Sequence, residues 1–257
     1  MNNTDYGLAY AEVYDLITSH KDYSEETRKL LGFLSNNGAP KNILSIGCGT
    51  GSHETIISKF DYNVLGFDTS PYMIKKAKEK ESNNLRFTLN LDDSLKFFKG
   101  NSIGCVISLF NVINCLSDTK TLVSFFERAL ENLNNDGFFI FEAWNRDEVF
   151  SHPPVVVSRK FDFPEGHLER LATPYLCAKT SSLRIGYKIK GQLNSKEKSI
   201  KSVHNLKLFD IREIVTCLRL VGFSRVKVFS AFPEFKEQRL VDNMVHSKRM
   251  LAFVARR

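Results

Sequence analysis

Residues 43–51 read Ile-Leu-Ser-Ile-Gly-Cys-Gly-Thr-Gly, and residues 63–68 read Asn-Val-Leu-Gly-Phe-Asp. The apolar run at the start of the first stretch predicts a buried strand, and the glycines after it predict a tight turn into a helix near His53. Glycines in such a turn let a ligand approach the backbone closely. The second stretch predicts another strand, which ends in Asp68. An acid at this strand end can accept hydrogen bonds from the ribose hydroxyls of an adenosine.

The rest of the chain extends this pattern. A helix is predicted over 14–35, and strands then alternate with helices as far as Glu142, which indicates a parallel sheet covered on both faces. After Trp144, four extended runs joined by Gly, Pro and polar turns predict an antiparallel meander. A helix over 210–220 and a final antiparallel strand pair then return to the first sheet. We therefore predict an α/β protein with an inserted β-meander.

Composition excludes several classes of protein. The 257 residues are 42% apolar and 25% charged, which is typical of a globular protein and not of a disordered one. No apolar run approaches the ~20 residues that a membrane helix needs. The first twelve residues do not resemble a secretory signal, so we expect a soluble, cytoplasmic protein with no membrane partner. Five cysteines without C-x-x-C spacing predict buried free thiols and no metal site.

Charge is divided unevenly along the chain. Residues 1–150 hold 15 Lys and Arg against 20 Asp and Glu, a net charge of −5, whereas residues 151–257 hold 21 against 9, a net charge of +12. A basic C-terminal half indicates an anionic partner, such as a nucleotide, a phosphorylated small molecule or RNA. A solvated basic surface is the simpler explanation of the charge taken alone.

Five short motifs in order over residues 43–140 resemble those of the class I S-adenosylmethionine (SAM)-dependent methyltransferases. They are the glycine loop after 44–46, the run Gly66-Phe67-Asp68 with Ser70 and Met73, the pair Asp92-Asp93, the run Ser108-Leu109-Phe110-Asn111, and Asn135-Asp136-Gly137-Phe138. The resemblance implies a Rossmann-like, seven-stranded methyltransferase sheet. The dinucleotide-binding pattern is G-x-G-x-x-G, but here Ser52 stands where the third glycine belongs and Gly51 comes one residue early. This spacing argues against NAD as the cofactor.

The resemblance also implies roles for individual residues in binding SAM and its product, S-adenosylhomocysteine (SAH). The methionine end would lie on the loop Gly47, Cys48, Gly49, Thr50 and Gly51. The ribose would lie on Asp68 beside Thr69, and adenine would lie near Met73, Asp93 and the Ser94 amide, with Asp92 as the alternative to Asp93. Leu109 and Phe110 would lie under the sulfonium, and Tyr14 and Tyr23 would belong to a lid.

A narrower resemblance covers more of the chain. Residues 11–16 and 21–23, the Cys48-to-His53 run, the stretch 142–150 and the stretch 203–209 are similar to amino-sugar N-methyltransferases. The resemblance implies a nucleotide-linked amino sugar as acceptor, with Trp144, Lys248 and Arg249 in contact with it. An amine acceptor must lose a proton to water or to a base, and the candidate catalytic residues are Glu142, His204 and Tyr14.

These inferences divide the chain into four parts: a helical lid over 1–40, a SAM-binding core over 41–150, the meander over 151–208 as a substrate cover, and a helix with two strands over 209–257. The predicted partner is a small-molecule acceptor. No nucleic-acid partner is expected, because the sequence shows no RNA-binding module. An exposed edge of the meander could pair two copies as a homodimer. An RNA methyltransferase, another small-molecule O- or N-methyltransferase and a non-catalytic SAM-binding scaffold remain the alternatives.

Overall fold

The structure is a computed structural model, and it describes residues 6–98, 103–238 and 248–257. In these ranges the chain forms, in order, α1 (Leu8–Ile17), α2 (Tyr23–Asn36), β1 (Asn42–Ile46), α3 (Ser52–Ile57), β2 (Asn63–Phe67), α4 (Pro71–Lys78), β3 (Leu85–Thr88), α5 (Asp93–Phe97), β4 (Cys105–Ser108), α6 (Thr119–Asn132), β5 (Phe138–Trp144), α7 (Arg146–Ser151), β6 (Val157–Phe163), β7 (Gly166–Cys177), β8 (Ser182–Leu193), β9 (Lys196–Lys207), α8 (Ile211–Val221), β10 (Arg225–Ser230) and β11 (Met250–Arg256). Two short 3₁₀ turns, Ser58–Phe60 and Val112–Cys115, complete the regular elements.

Seven strands form one mixed sheet in the order β10-β11-β5-β4-β1-β2-β3. The five strands β1 to β5 run parallel, and β11 pairs antiparallel with both β5 and β10. Apolar side chains from alternate strand positions fill a core on each face of this sheet. Because the carboxyl ends of parallel strands share one edge, the residues after β1, β2 and β4 meet there. The predicted sheet and its antiparallel end are confirmed.

The four strands β6 to β9 form a separate antiparallel meander, in which β9 is an edge strand. One face of the meander packs on α1, where Val13 and Ile17 share an apolar cluster with Leu168 and Ile189. The predicted insert is therefore present; β7, β8 and β9 are longer than the extended runs predicted over 167–176, 183–191 and 202–208, and β6 is shorter than the run predicted over 155–163. The N-terminal helix and the meander together cover one side of the sheet edge.

The single helix predicted over 14–35 is wrong, because the structure has two helices separated after Ile17. Residues 18–22 between the two helices are not helical. The Asp22 carboxylate accepts a hydrogen bond from the Glu25 amide and caps the N-terminus of α2. Elsewhere the sequence signals hold: Ser70 caps α4, which has Pro71 in its first turn. The five cysteines are free. Among the helices in the described ranges, none is long and apolar enough to cross a membrane.

Candidate active site

A cavity of about 1520 Å³ opens at the carboxyl ends of β1, β2 and β4. Its walls come from the sheet edge, from α1 and α2 above it, and from β9 and α6 at its mouth. Twelve residues predicted from the sequence for cofactor binding or catalysis line this cavity: Tyr14, Tyr23, Gly47, Cys48, Gly49, Thr50, Asp68, Thr69, Met73, Leu109, Phe110 and His204. Residues that are far apart in the chain thus meet around one space.

The glycine loop has the conformation that its residues require. Gly47 and Gly51 have φ values of 82° and 79°, in the left-handed region that favours glycine. A Cβ at Gly47 would lie 2.5 Å from the Val112 side chain, and one at Gly51 would overlap the Phe87 ring. Gly51 does not line the cavity itself. It makes the turn from which α3 begins.

Asp68 lies at the end of β2 with its carboxylate fixed by two backbone amides. Gly49 donates to Oδ2 and Ser70 donates to Oδ1, each over 2.8 Å. Burial raises the pKa of Asp68 above its usual range, although the two amides favour the charged form. An ionised carboxylate has about four acceptor positions, so both oxygens keep capacity for the two hydroxyls of a ribose.

The acidic pair after β3 lies outside the cavity lining, contrary to its predicted role at the adenine. Asp92 pairs with Arg128 over 2.9 Å, and Asp93 accepts a hydrogen bond from the Thr88 hydroxyl over 2.6 Å. The Ser94 hydroxyl donates to Asn132. Asp92 is the N-cap of α5, and Asp93 and Ser94 lie in its first turn. The residues that line the cavity here are the preceding Leu89, Asn90 and Leu91, which the motif match did not identify.

Glu142, predicted as a catalytic base, is not among the residues that line the cavity. Its Oε2 accepts a hydrogen bond from the Phe110 amide over 2.8 Å, and its Oε1 accepts one from the Phe232 amide over 3.2 Å. The carboxylate is fully buried, and burial raises its pKa. Phe110 has a φ of 61°, a conformation that costs energy in a residue with a side chain. Glu142 therefore holds the loop after β4 in place.

His204 and Tyr14 do line the cavity, among other aromatic side chains. The His204 ring lies 4.7 Å from the Tyr6 ring and 5.1 Å from the Tyr10 ring, both edge-on, and a ring nitrogen lies 3.1 Å from the Ser202 hydroxyl. Burial raises the pKa values of Tyr6 and Tyr14 well above their usual range, so both phenols are neutral. A neutral phenol can donate a hydrogen bond but is a poor proton acceptor.

The three residues predicted to bind the acceptor lie outside the cavity lining. Lys248 pairs with Glu234 over 2.9 Å, and the Arg249 guanidinium donates to the His152 carbonyl over 2.8 Å. Trp144 packs in a separate apolar cluster with residues of the meander.

Other basic residues line the mouth of the cavity, and the sequence analysis did not identify them. They are Arg128, Arg184, Lys201 and Lys207. Arg128 pairs with Asp92, and Lys207 donates to the Thr180 carbonyl. Arg184 and Lys201 are exposed and have no carboxylate partner within the part of the chain that the structure describes. Within that same part, no group of His, Cys, Asp and Glu side chains is arranged to hold a metal ion.

Comparison with known proteins identifies the family of the core. Residues 43–137 match the profile of a methyltransferase domain. A dTDP-3-amino-3,4,6-trideoxy-α-D-glucopyranose N,N-dimethyltransferase from Streptomyces venezuelae is 27% identical over 149 residues. That match covers 57% of this chain and 62% of the relative, less than two thirds of its length. The domain match confirms the predictions of a class I methyltransferase core and of SAM as its cofactor.

Two solved structures share the fold over nearly the whole chain. DesVI from S. venezuelae has a TM-score of 0.77 at 20% identity, over 97% of this chain and 99% of that one. The sugar N-methyltransferase KedS8 from Streptoalloteichus sp. has a TM-score of 0.74 at 21% identity, over 98% and 95%. These likenesses confirm the predicted fold, and they include the meander as well as the Rossmann-like sheet.

Proposed function

We propose that this chain, whose residues 43–137 form a methyltransferase domain, transfers a methyl group from SAM to the amino group of a small anionic molecule, most simply a nucleotide-linked amino sugar. The observation that carries the proposal is the continuity of the cavity: one space joins the glycine loop and Asp68 to a basic mouth on β8 and β9. A volume of about 1520 Å³ is larger than the ~300–1,000 Å³ of an ordinary small-molecule pocket. It has room for a cofactor and an acceptor together.

The reaction needs little covalent chemistry from the protein. Bound SAM supplies an activated methyl group, and displacement requires the acceptor nitrogen to lie in line with the breaking bond. Positioning alone can lower such a barrier greatly. The loop that includes Leu109 and Phe110, held by Glu142, forms the floor on which the two reactants would meet. Tyr6 and Tyr14, both neutral and facing the cavity, exclude water from it.

The amine must reach the methyl group without its proton. We assign the removal of that proton to His204, which faces the cavity from β9 and carries Ser202 as its hydrogen-bond partner. A histidine has an ordinary pKa near neutrality, which suits a general base at physiological pH. Of the three catalytic residues predicted from the sequence, His204 is thus proposed as the base, and Glu142 is proposed to position the loop at Phe110.

The anionic part of the acceptor is proposed to contact Arg184 and Lys201. Both side chains line the mouth, and neither has a carboxylate partner in the described ranges. Arginine and lysine both suit the oxygens of a diphosphate, because guanidinium binds phosphate oxygens in pairs and the lysine ammonium is a compact positive charge. The dTDP-sugar specificity in the name of the 27% identical relative supports this chemical class.

Replacing Arg184 or Lys201 by glutamine is expected to raise the KM for a dTDP-linked amino sugar about fivefold to tenfold, since a charge-assisted hydrogen bond contributes ~1.5–3 kcal/mol when well formed. The affinity for SAM should not change. Methyl-transfer kinetics at saturating SAM measure the effect.

Lys160→Gln is the matched control, because Lys160 is exposed on β6, the opposite edge of the meander from β9, and does not line the cavity. An unchanged KM in both the Arg184→Gln and Lys201→Gln variants would contradict the anionic subsite. Activity confined to RNA would contradict the acceptor class, and SAM binding with no transfer to any acceptor would favour a scaffold.

A further inference from the structure

Glu54 on α3 carries a buried carboxylate that lines the cavity, and only one of its two oxygens accepts a hydrogen bond from the described residues. Its side chain is 2% exposed, and its Oε1 accepts a hydrogen bond from the Ser45 hydroxyl over 2.6 Å. Its Oε2 is equally buried and has no hydrogen-bond partner among the described residues. Both Ser45 and Glu54 line the cavity. Buried polar atoms are rarely left unpaired, so this oxygen calls for a donor that residues 6–98, 103–238 and 248–257 do not supply.

The cations near Glu54 are already engaged elsewhere. Lys80 bonds to Asp15 and to the Thr50 carbonyl. The ring of His53 bonds to Glu26, which also pairs with Lys21. Burial raises the pKa of Glu54, and a cation brought by a ligand would reverse that effect. A positively charged donor on a ligand would therefore suit this oxygen.

The position of Glu54 selects which group of a bound SAM could be that donor. Asp68, on the next strand, is placed for the ribose, and the residues 89–91 line the cavity beyond β3, on the adenine side. Ser45 belongs to β1, on the other side of Asp68, and it directly precedes the glycine loop. The remaining cationic hydrogen-bond donor of SAM is the α-ammonium group at its amino-acid end.

We propose that Glu54, positioned by Ser45, binds the α-ammonium group of SAM and selects ligands that carry an intact amino-acid end. The inference rests on the proposed function, since it takes SAM as the ligand. It assigns cofactor specificity to an acid on a helix that the motif analysis did not single out. A nucleoside thioether without the amino-acid chain would leave the Oε2 atom unpaired, and the site would not favour it.

The test compares two ligands that share the adenosine and the thioether sulfur. SAH carries the amino-acid chain, whereas 5′-methylthioadenosine lacks it. Calorimetric titration should show that Glu54→Gln weakens SAH binding about tenfold and leaves 5′-methylthioadenosine binding unchanged. Ser45→Ala keeps the carboxylate but frees it to rotate, and we expect a loss of about threefold for SAH alone. Glu79→Gln, at an exposed residue directly after α4, is the matched control.

The possible outcomes distinguish the contact between Glu54 and the ammonium group from the proposed function itself. If Glu54→Gln weakens both ligands equally, or neither, the contact with the ammonium is contradicted while SAM binding stands. If the wild-type protein binds neither ligand, the proposed function itself fails. Should Glu54→Gln not fold, the Ser45→Ala variant decides, because an equal effect of that variant on both ligands contradicts the inference.

Discussion

Replacing Glu142 with alanine is expected to lower the free energy of unfolding by about 3 kcal/mol, since a buried donor left unpaired costs ~1–3 kcal/mol and two are created here. The amides of Phe110 and Phe232 both lose their acceptor. Urea denaturation of the purified protein measures the change.

Glu142→Gln should lose part of this stability, because an amide has one oxygen and can accept from only one of the two amides. Glu127→Gln, on the exposed face of α6, is the matched control and should change the free energy of unfolding very little. The folded fraction of Glu142→Gln should keep measurable methyl transfer. Normal stability together with abolished transfer would instead make Glu142 the proton acceptor.

Replacing Asp68 with alanine is expected to weaken SAM and SAH binding at least tenfold. In this variant the ribose hydroxyls lose the charged carboxylate that accepts their hydrogen bonds. A hydrogen bond to a charged group contributes ~1.5–3 kcal/mol. It also frees the Gly49 amide, which Asp68 fixes beside the glycine loop. Isothermal titration with SAH measures the affinity, and thermal denaturation checks that the variant is folded.

Asp61→Ala is the control for this substitution, because Asp61 is a fully solvated residue shortly before β2. Its affinity for SAH should equal that of the wild type. Asp68→Asn keeps one acceptor oxygen and should lie between the wild type and the alanine variant. A folded Asp68→Ala protein with unchanged SAH affinity would show that the ribose lies elsewhere.

The structure brings Gly47, Gly49 and Asp68, which the sequence predicted for the cofactor end of the site, to one cavity, and the reason is physical. The glycine loop and Asp68 depend on backbone turns and strand ends, which local sequence determines directly. Gly47 and Gly51 must be glycines because of their backbone angles and close neighbours. The same logic located β2 and the cap of α4 residue by residue.

The acceptor end could not be predicted in the same way. Lys201 lies on β9, an edge strand of the meander, and Arg184 lies on the neighbouring strand β8. Both reach the cavity through this strand order, which no local pattern records. Lys248 and Arg249 precede β11 as predicted, yet their side chains turn to Glu234 and His152. The role of Glu142 depends on Phe232, a residue far along the chain that the fold brings to it.

The central claim is that this cavity transfers a methyl group from SAM to an anionic amine. The most direct measurement follows a deuterium-labelled methyl group by mass spectrometry after incubation of the purified protein with labelled SAM. A dTDP-linked amino sugar, a simple free amine and tRNA serve as separate acceptors. The account predicts label on the nitrogen of the dTDP-linked sugar, with SAH formed in equal amount. Label found only in tRNA, or no label in any acceptor despite bound SAM, would contradict it.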